Sequence, residues 1–390
     1  MNVTSVNNIC KQNVVYICIL NKFMTCKRYL PPAAVVDFLT KLDLDPNCRT
    51  VLGHSVENRP IECIQLGSGA YQVLMWSQMH GNETTTTKAL MDFIPWFLDQ
   101  AQVAYRKAFR LTIILQLNPD GAQHYTRVNA NGVDLNRDAI NLSQPESQLL
   151  LKLYSSIQPD LCLNLHGQRT LYAAGLGGPS ASLSFLAPAA NQEREITSAR
   201  AEAMRLIAAL TAALTNDLPE AIGRYDDTFN PNCIGDTFTQ RGTPTILFEA
   251  GHVAKDYQRE KTRRYVFKAY CALFEALLNN GKHLEVEHYF SLPQNSIDFY
   301  DIILEGVTVQ HHDAIKKNQK LGLSFREVLK DSQIEFHPEM KAFGDNLKMR
   351  GHHNLMLPSE IQSKPINFQN NELIKDFHLL NFIWSKIKIN

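Results

Sequence analysis

Residues 71–97, YQVLMWSQMHGNETTTTKALMDFIPWF, contain the pattern that decides the fold class of this chain. The stretch begins with the apolar run Tyr71–Trp76, which is typical of a strand buried on both faces of a sheet. The mostly polar residues 77–83 follow this strand, and a helical pattern then extends from about Thr84 to Ala104. Leu111–Leu115 is a second continuous apolar run, so the order is strand, helix, strand. This order is typical of α/β proteins.

The alternation of strands and helices continues along the chain. Upstream, two short strand-like runs, Thr50–His54 and Ile61–Leu66, flank a turn and predict a hairpin. Downstream, the sequence predicts a helix over Pro145–Ser156, a strand over Leu161–Leu165, a helix over Ala190–Leu214, a strand over Thr245–Phe248 and a helix over Asp256–Asn279. The expected fold class is therefore α/β: a three-layer sandwich with a mixed, mainly parallel central sheet, plus a small C-terminal strand-rich appendage.

The chain is expected to have three parts, because the pattern of apolar and polar residues changes twice along it. Residues 1–29 match no usable pattern, and we treat them as an N-terminal extension and a candidate for disorder. Residues 30–282 carry the strand–helix alternation and form the predicted main domain. Residues 283–390 contain short alternating runs broken by Gly and Pro, which predict a small and mostly β region.

Composition and charge exclude two classes of partner. The 39 Lys and Arg residues balance the 39 Asp and Glu residues, so no net field favours nucleic acid or an anionic membrane surface. No stretch approaches the roughly 20 apolar residues that a membrane-spanning helix needs. We therefore expect neither a nucleic-acid partner nor a membrane span.

Cysteine usage and the N-terminal sequence bear on location. The eight cysteines are scattered without a CxxC pair, and several lie in apolar runs, which is typical of buried, reduced thiols. The apolar run Val14–Leu20 is at the lower length limit for a signal-peptide core, and no small-residue cleavage site follows it. We therefore expect a cytoplasmic location, with secretion as the alternative.

Reactive side chains follow three of the predicted strands. His80 and Glu83 come after the first strand of the opening stretch, His166 comes directly after Leu165, and Glu249 follows Phe248. In open α/β sheets, ligands bind just beyond the carboxyl ends of the strands. We therefore expect these four side chains to lie along one edge of the sheet.

Two imidazoles and one carboxylate form a chemically sensible zinc site. Bound by His80, Glu83 and His166, zinc keeps a fourth position for water, which is typical of a catalytic rather than a structural site. Glu249 is then a candidate general base. The spacing His-x-x-Glu alone is weak evidence in a chain with 13 histidines, and it leaves open that these are hydrogen-bonded structural histidines.

Several longer motifs occur in a fixed order between about residues 50 and 255. They are 53–61 (GHSVENRPI), 80–83 (HGNE), 118–121 (NPDG), 127–137 (RVNANGVDLNR), 144–147 (QPES), 165–167 (LHG) and 248–249 (FE). Together they resemble the zinc metallocarboxypeptidases, and particularly the regulatory branch that includes carboxypeptidases N, E and D. The segment 127–137 is similar to the middle motif of that branch almost residue for residue, so 30–282 is identified as a carboxypeptidase-like catalytic domain.

The resemblance implies a zinc centre and a mechanism. It implies one zinc ion per chain, held by His80, Glu83 and His166. It also implies that Glu249 assists the attack of a metal-bound water on the substrate. Arg127 would polarise the scissile carbonyl and stabilise its oxyanion, as a preorganised cation does.

The resemblance also implies how a substrate is held. Asn136 and Arg137 would bind the terminal carboxylate of a peptide, Arg137 through two parallel hydrogen bonds. Tyr225 is the candidate for the mobile tyrosine that closes over the substrate, since it is the only tyrosine in that neighbourhood. Asp236 is a candidate pocket acid that would favour a C-terminal Lys or Arg, and it is equally a candidate turn residue.

Other positions depart from the family pattern or carry no chemistry. Residues 138–140, Asp-Ala-Ile, replace an Asn-Phe-Pro-like segment, so the wall of the substrate pocket is expected to differ. His252 is interpreted either as a neighbour of the site or as a surface residue. The pairs His311-His312 and His352-His353 lack partner carboxylates at metal spacing and are expected at the surface.

We expect a zinc-dependent hydrolase that removes C-terminal residues from peptides with a free carboxylate. The alternative is a zinc amidase or deacylase acting on murein peptides or acyl amino acids, because such enzymes share the zinc ligands and an Asp-Leu-Asn-Arg string. The motifs at 118–121 and 144–146 favour the peptidase. A non-catalytic binding module is a third hypothesis, disfavoured because no ligand is missing. The preferred C-terminal residue and the oligomeric state stay open.

Overall fold

The computed structural model describes residues 28–42, 44–279 and 284–389. Its main sheet and the strands nearest to it are β1 (Arg49–His54), β2 (Pro60–Leu66), β3 (Tyr71–Ser77), β4 (Phe109–Ile114), β5 (Leu161–Gly167), β6 (Tyr172–Ala174), β7 (Leu183–Leu186), β8 (Ile222–Arg224) and β9 (Thr245–Ala250). The helices of this part are α1 (Pro32–Lys41), α2 (Thr85–Leu98), α3 (Val103–Ala108), α4 (Pro119–His124), α5 (Pro145–Ile157), α6 (Ser198–Leu214), α7 (Ile234–Gln240) and α8 (Glu260–Leu278).

Eight of these strands form one mixed sheet, in the order β1-β2-β4-β3-β5-β9-β7-β8. The four central strands β4, β3, β5 and β9 are parallel neighbours, and β8 is parallel to β7. The pairs β1–β2, β2–β4 and β7–β9 are antiparallel, and β1–β2 is the predicted hairpin. The carboxyl ends of the central strands therefore meet at one edge.

The sheet is covered on both faces, because successive side chains of a strand point to opposite sides. Val73 and Met75 of β3 pack in the cluster that contains the apolar residues of α2, α6 and α8. Leu74 and Trp76 pack in a second cluster with residues of α5 and α7. Burial of both faces is the reason that the central strands have continuous apolar sequences. The predicted three-layer α/β fold class is confirmed.

Three predicted helices have different bounds in the structure, and capping side chains explain the differences. The helix expected from Thr84 to Ala104 ends at Leu98, where Asp99 accepts a hydrogen bond from the amide of Ala101 and begins a separate turn. The helix expected from Ala190 begins at Ser198, because the Thr197 side chain caps it. The helix expected from Asp256 begins at Glu260.

The C-terminal region is strand-rich, as expected. It contains α9 (Val286–Phe290), β10 (Asn295–Ile297), β11 (Phe299–His311), β12 (Ala314–Lys330), β13 (Gln333–Gly344), β14 (Arg350–Met356), α10 (Ser359–Gln362), β15 (Pro365–Asn367) and α11 (Phe377–Lys386). A second sheet has the order β13-β12-β11-β14, with β15 also paired to β11. Its own apolar cluster includes residues of α11. β10 pairs with β6 and so joins this region to the main domain.

The predicted boundaries fall partly on residues that the structure does not describe. Residues 1–27, including the run Val14–Leu20, and the boundary at 282/283 lie outside the described residues. Arg28 and Tyr29 are described, and the Tyr29 hydroxyl donates a hydrogen bond to the carbonyl of Gln123. Within the described residues, no helix combines the length and the hydrophobicity needed to cross a membrane.

Candidate metal centre

The turn between β3 and α2 places His80 and Glu83 side by side. The Glu83 amide donates a hydrogen bond to the His80 carbonyl over 3.0 Å, and the Gln78 side chain donates to the Gly81 carbonyl over 2.8 Å. A Cβ atom at Gly81 would lie 1.9 Å from the backbone carbon of Gly121, so only glycine fits there. The turn is therefore fixed by close backbone packing as well as by hydrogen bonds.

The third member, His166, reaches the same point from β5. Its Nδ1 lies 3.0 Å from His80 Nδ1 and 3.0 Å from a Glu83 carboxylate oxygen, while His80 Nδ1 lies 2.9 Å from the other Glu83 oxygen. The Gly167 amide donates a further hydrogen bond to Glu83 over 2.9 Å. Both histidines are only 2% exposed. The three residues predicted from the sequence as metal ligands are thus brought together.

This cluster fits a zinc ion. The three potential ligand atoms all lie within 4.8 Å of one another. Around a tetrahedral zinc, with ligands at about 2.0–2.2 Å, neighbouring ligand atoms are roughly 3.3 Å apart. Two imidazole nitrogens and a carboxylate that face each other in a buried space present lone pairs to a common centre, and a cation there would satisfy all three.

Electrostatics within the cluster favour an ionised Glu83. Burial alone would raise the pKa of this carboxyl group. The charges and hydrogen bonds of His80 and His166 outweigh burial and hold the pKa of Glu83 well below its usual range. An ionised carboxylate is the form that binds a metal ion.

Asp134 contacts the centre from outside the ligand set. One of its carboxylate oxygens lies 2.9 Å from His80 Nε2, and the other accepts a hydrogen bond from Arg127 Nε over 3.0 Å. A carboxylate bonded to the far nitrogen of a histidine fixes the tautomer that presents the near nitrogen to a metal. No role was predicted for Asp134 from the sequence. The role could have been inferred from two signals. Asp134 lies in an Asp-Leu-Asn-Arg string, and a histidine ligand needs a partner that orients it.

Glu249 lies beside the cluster because β9 pairs with β5 and sets Glu249 opposite His166. The side chain is nearly buried, at 9% exposure, and its Oε2 has no hydrogen-bond partner among the described residues. Burial and the nearby charge of Glu83 raise the pKa of Glu249 well above its usual range. A carboxylate in this environment binds a proton readily.

Arg127 lies next to the metal cluster. Its guanidinium is 3.2 Å from the Glu83 carboxylate, and its side chain is 48% exposed. Burial lowers the pKa of Arg127, but the charges of Glu83 and Asp134 outweigh this effect and raise it. Arg127 is therefore a fixed positive charge at the edge of the centre.

Asn136 and Arg137 occupy a short turn, residues 135–137, that Asp134 caps. Asn136 Oδ1 accepts a hydrogen bond from the Ile234 amide over 3.1 Å. Arg137 Nη1 donates to the Asn136 carbonyl over 2.7 Å and to Cys233 Sγ over 3.0 Å. These contacts hold the turn against the start of α7.

All eight predicted site residues line one cleft of about 850 Å³. Tyr225 is among them, and its hydroxyl lies 3.0 Å from the hydroxyl of Tyr172. Asp236 also lines the cleft, and burial raises its pKa to about 7. A further group of lining residues was not predicted from the sequence and comes from the N-terminal segment and the C-terminal region: Arg28, Asp301, Ser324, Phe325, Arg326, Glu327, Phe336 and Glu339.

The expectation that His352 lies at the surface is wrong. Its ring stacks on Phe299 with centroids 4.4 Å apart, and its Nε2 lies 2.8 Å from the Thr170 carbonyl. His252 is only 1% exposed, and its ring centroid is 4.6 Å from that of His352. His352 lies on β14 of the second sheet and His252 follows β9 of the main sheet, so their contact is a long-range one that local sequence does not indicate. His312 is exposed, as expected.

The family of the chain follows from its match to a protein-family model. Residues 35–270, more than half of its 390 residues, match the family model described as zinc carboxypeptidase. The chain belongs to the zinc carboxypeptidase family. The family is one of zinc-dependent peptide hydrolases, so the predicted kinship with zinc metalloproteases is confirmed.

Individual relatives are distant. Carboxypeptidase SOL1 of Arabidopsis thaliana is 28% identical over 138 residues, which is 30% of this chain and 28% of that protein. The chain therefore matches less than a third of the length of this curated relative. Carboxypeptidase A from Helicoverpa armigera superposes with a TM-score of 0.51 at 15% identity, over 71% of this chain and 82% of that one. The likeness to the Helicoverpa structure shows the fold.

Proposed function

We propose that this protein is a zinc-dependent carboxypeptidase that removes the C-terminal residue from peptides with a free carboxylate. The observation that carries the proposal is the composition of one cleft. A buried cluster of two histidines and one glutamate lies beside the carboxylate of Glu249, and the Asn136-Arg137 pair lines the same cavity. The order of motifs along the chain supports the assignment to the regulatory branch of the family.

Glu249 is proposed to move protons during hydrolysis. Its unpaired Oε2 is available to take a proton from the attacking water, and its raised pKa lets it hold that proton until the leaving amine needs it. A zinc ion held by His80, Glu83 and His166 would supply the Lewis-acid chemistry that activates water and polarises a carbonyl.

Arg127 is proposed to stabilise the negative charge that develops on the scissile carbonyl oxygen. Preorganised donors aimed at developing charge contribute several kcal/mol to catalysis, typically about 3–4 kcal/mol for one donor. The guanidinium is already held near the centre by Glu83 and Asp134. Its half-exposed side chain faces the space that a substrate would occupy.

Asn136 and Arg137 are proposed to bind the terminal carboxylate. Within the described residues, both hydrogen bonds from the Arg137 side chain start at Nη1, which leaves Nε and Nη2 for a carboxylate. A guanidinium can bind a carboxylate through two parallel hydrogen bonds. Tyr225 is proposed to close over the bound residue. A substrate held in this way places its last peptide bond near the metal cluster.

A panel of matched peptides tests the proposal. Each peptide is prepared with a free C-terminal acid and with a C-terminal amide, and the zinc content of the protein is measured in parallel. We expect about one zinc ion per chain, as for a catalytic site with three protein ligands. We also expect cleavage of the acids and little cleavage of the amides, because an amide lacks the charge that Arg137 binds. Equal cleavage of both forms would contradict the carboxypeptidase assignment.

A zinc deacylase acting on acyl amino acids is the second candidate function. It is favoured by one observation, the presence of C-terminal-region residues in the wall of the cleft. A cytoplasmic location, the one expected from the sequence, is also proposed. It is supported by the free thiols of the described cysteines, which are Cys48, Cys63, Cys162, Cys233 and Cys271.

A further inference from the structure

The strand-rich C-terminal region forms part of the cleft that contains the metal cluster. The residues that line the cleft from β12 and β13 include Phe325, Arg326, Glu327, Phe336 and Glu339. Phe325 and Phe336 pack around Tyr257 of the main domain, with ring centroids 5.1 and 5.8 Å from it. We call these five residues the β12–β13 wall.

Glu327 fixes the wall to the segments that carry site residues. Its carboxylate accepts two hydrogen bonds from Arg28, over 2.9 and 3.1 Å, and a third from the Tyr125 hydroxyl. Arg28 also donates to the Thr85 hydroxyl over 3.3 Å. Thr85 is two residues beyond Glu83, and Tyr125 is two residues before Arg127. The wall is therefore joined directly to the metal-binding turn and to the Arg127 segment.

The wall and the carboxylate-binding pair lie at opposite ends of a chain of contacts through the metal cluster. At one end, the Asn136 amide bonds to Asp134, which contacts His80. His80 contacts Glu83, which lies two residues before Thr85, the first residue of α2. Arg28 donates hydrogen bonds both to Thr85 and to Glu327, which is the other end of the chain of contacts. The pair and the wall therefore reach the metal cluster through different residues of one cleft, which leaves the wall free to contact the residues that precede a bound carboxylate.

The size of the cleft agrees with a short substrate. Its volume is about 850 Å³, within the range of pockets that enclose small, drug-sized ligands. An extended peptide advances roughly 3.3 Å per residue, so each additional residue on the acyl side needs further open space. The β12–β13 wall bounds the cleft next to Tyr125 and, through Arg28, next to Thr85.

We propose that the β12–β13 wall limits the acyl side of the substrate, so that the enzyme acts on dipeptides, tripeptides and N-acyl amino acids rather than on long peptides or proteins. The inference rests on the proposed function, since it takes the orientation of the substrate from the Asn136-Arg137 pair. It deepens that function by naming the class of substrate.

A length series tests the inference with the full zinc-loaded chain. The substrates are an N-acetyl dipeptide and an octapeptide that share their last two residues and their free carboxylate. We expect kcat/KM for the octapeptide to be lower by about tenfold or more, a difference that reports lost transition-state binding. Arg326→Ala and Phe325→Ala should each raise the ratio of long-substrate to short-substrate cleavage.

Lys330→Ala is the matched control, because Lys330 lies on the same strand with a side chain that is 61% exposed and pairs only with Glu335 among the described residues. This variant should leave the length ratio unchanged. Arg326 is 47% exposed, so Arg326→Ala should keep the fold even if Phe325→Ala does not. Thermal unfolding and zinc content are measured for each variant.

The possible outcomes separate the two proposals. If neither substrate is cleaved by zinc-loaded protein, the proposed function is wrong. If both are cleaved with equal kcat/KM, the carboxypeptidase assignment stands and the length limit is wrong. If the short substrate is preferred but folded Arg326→Ala leaves the ratio unaltered, the wall is not the cause and the inference is overturned.

Discussion

At the level of single residues, the Asp134 carboxylate contacts three groups of the candidate site. It lies 2.9 Å from His80 Nε2, accepts from Arg127 Nε over 3.0 Å and accepts from the Asn136 amide over 2.9 Å. Burial would raise the pKa of Asp134, but the hydrogen bond and charge of His80 lower it. Asp134 therefore stays ionised and holds His80, Arg127 and the turn at residues 135–137 in fixed positions relative to one another.

Replacing Asp134 by Asn should weaken zinc binding. The amide keeps the size of the side chain but removes the charge that orients and polarises His80, and loss of such a partner typically raises the metal Kd by about 10- to 100-fold. The Kd is measured by competition with a chelator. Asp138→Asn is the control, because Asp138 caps residues 143 and 144 in the same loop. An unchanged zinc Kd in folded Asp134→Asn would remove this role.

Replacing Glu249 by Gln should strongly reduce turnover and leave zinc bound. Gln cannot accept the proton, and loss of general-base catalysis costs about 10²- to 10⁴-fold in kcat. Peptidase activity and zinc content are measured on the same preparation. Glu220→Gln, a substitution at an exposed residue that does not line the cleft, should retain full activity. Activity retained in Glu249→Gln would place the proton transfer on another group.

At the level of elements, capping side chains determine where helices begin. They are the reason that some observed helices begin at other residues than the sequence predicted. Asp256 was expected as the first residue of a helix. Its side chain instead accepts hydrogen bonds from the amides of Glu260, Lys261 and Thr262, over 3.0, 2.8 and 3.0 Å. Arg259, which lies between Asp256 and Glu260, has a left-handed backbone conformation with a φ of 63°. The helix α8 can begin only after that residue.

Replacing Asp256 by Ala should destabilise the protein. Loss of a capping side chain typically lowers the free energy of unfolding by about 0.5–2 kcal/mol, and three bonded amides place the expected loss at the upper end of that range. Urea unfolding followed by circular dichroism measures the change. Asp313→Ala, in an exposed turn, is expected to alter stability by less than about 0.5 kcal/mol. Equal stability of the two variants would exclude the capping role.

The sequence predicted most of the sheet and the centre of the site for identifiable reasons. Largely apolar runs of four to six residues are direct consequences of burial on both faces, so the central strands could be predicted. Strand ends carried His80, Glu83, His166 and Glu249, and the observed sheet edge gathers them. The first residues of helices were harder to predict from the sequence. A helical sequence pattern can include residues that lie outside the helix because a single capping side chain sets its start.

At the level of the whole molecule, the contribution of the C-terminal region to the cleft could not be predicted from the sequence. Arg28 and Glu327 are separated by 299 positions, and neither lies in a recognisable motif. The same holds for His252 and His352, whose contact depends on how the two sheets pack. Local patterns determine elements, whereas contacts between distant elements depend on the assembled fold.

The Arg28–Glu327 pair should stabilise the fold in a pH-dependent way. Burial would raise the pKa of Glu327, but Arg28 outweighs burial and lowers it. The pKa in the folded state is then below the unfolded value of about 4.3. The pair therefore contributes stability above about pH 4.3, and the contribution is lost as pH falls through the folded pKa.

A double-mutant cycle measures this coupling. Arg28→Met, Glu327→Gln and the double variant are unfolded in urea at pH 7 and at pH 3, because breaking one partner of a buried pair typically costs about 3–5 kcal/mol. We expect a favourable coupling energy at pH 7 that shrinks at pH 3. The exposed pair of Lys330 and Glu335 gives the reference cycle, with coupling below about 1 kcal/mol. A pH-independent coupling for Arg28 and Glu327 would contradict the assignment.

The same pair also has a consequence for synthesis of the chain. At roughly 5–20 residues per second, the ribosome would make Arg28 about 15 to 60 s before its partner Glu327. During that interval the main domain can assemble its sheet and the His80, Glu83 and His166 cluster, yet the Arg28 guanidinium lacks the carboxylate that binds it through two hydrogen bonds. The nascent protein thus passes through a stage in which the cleft lacks one wall, and β12 and β13 complete it after they emerge from the ribosome.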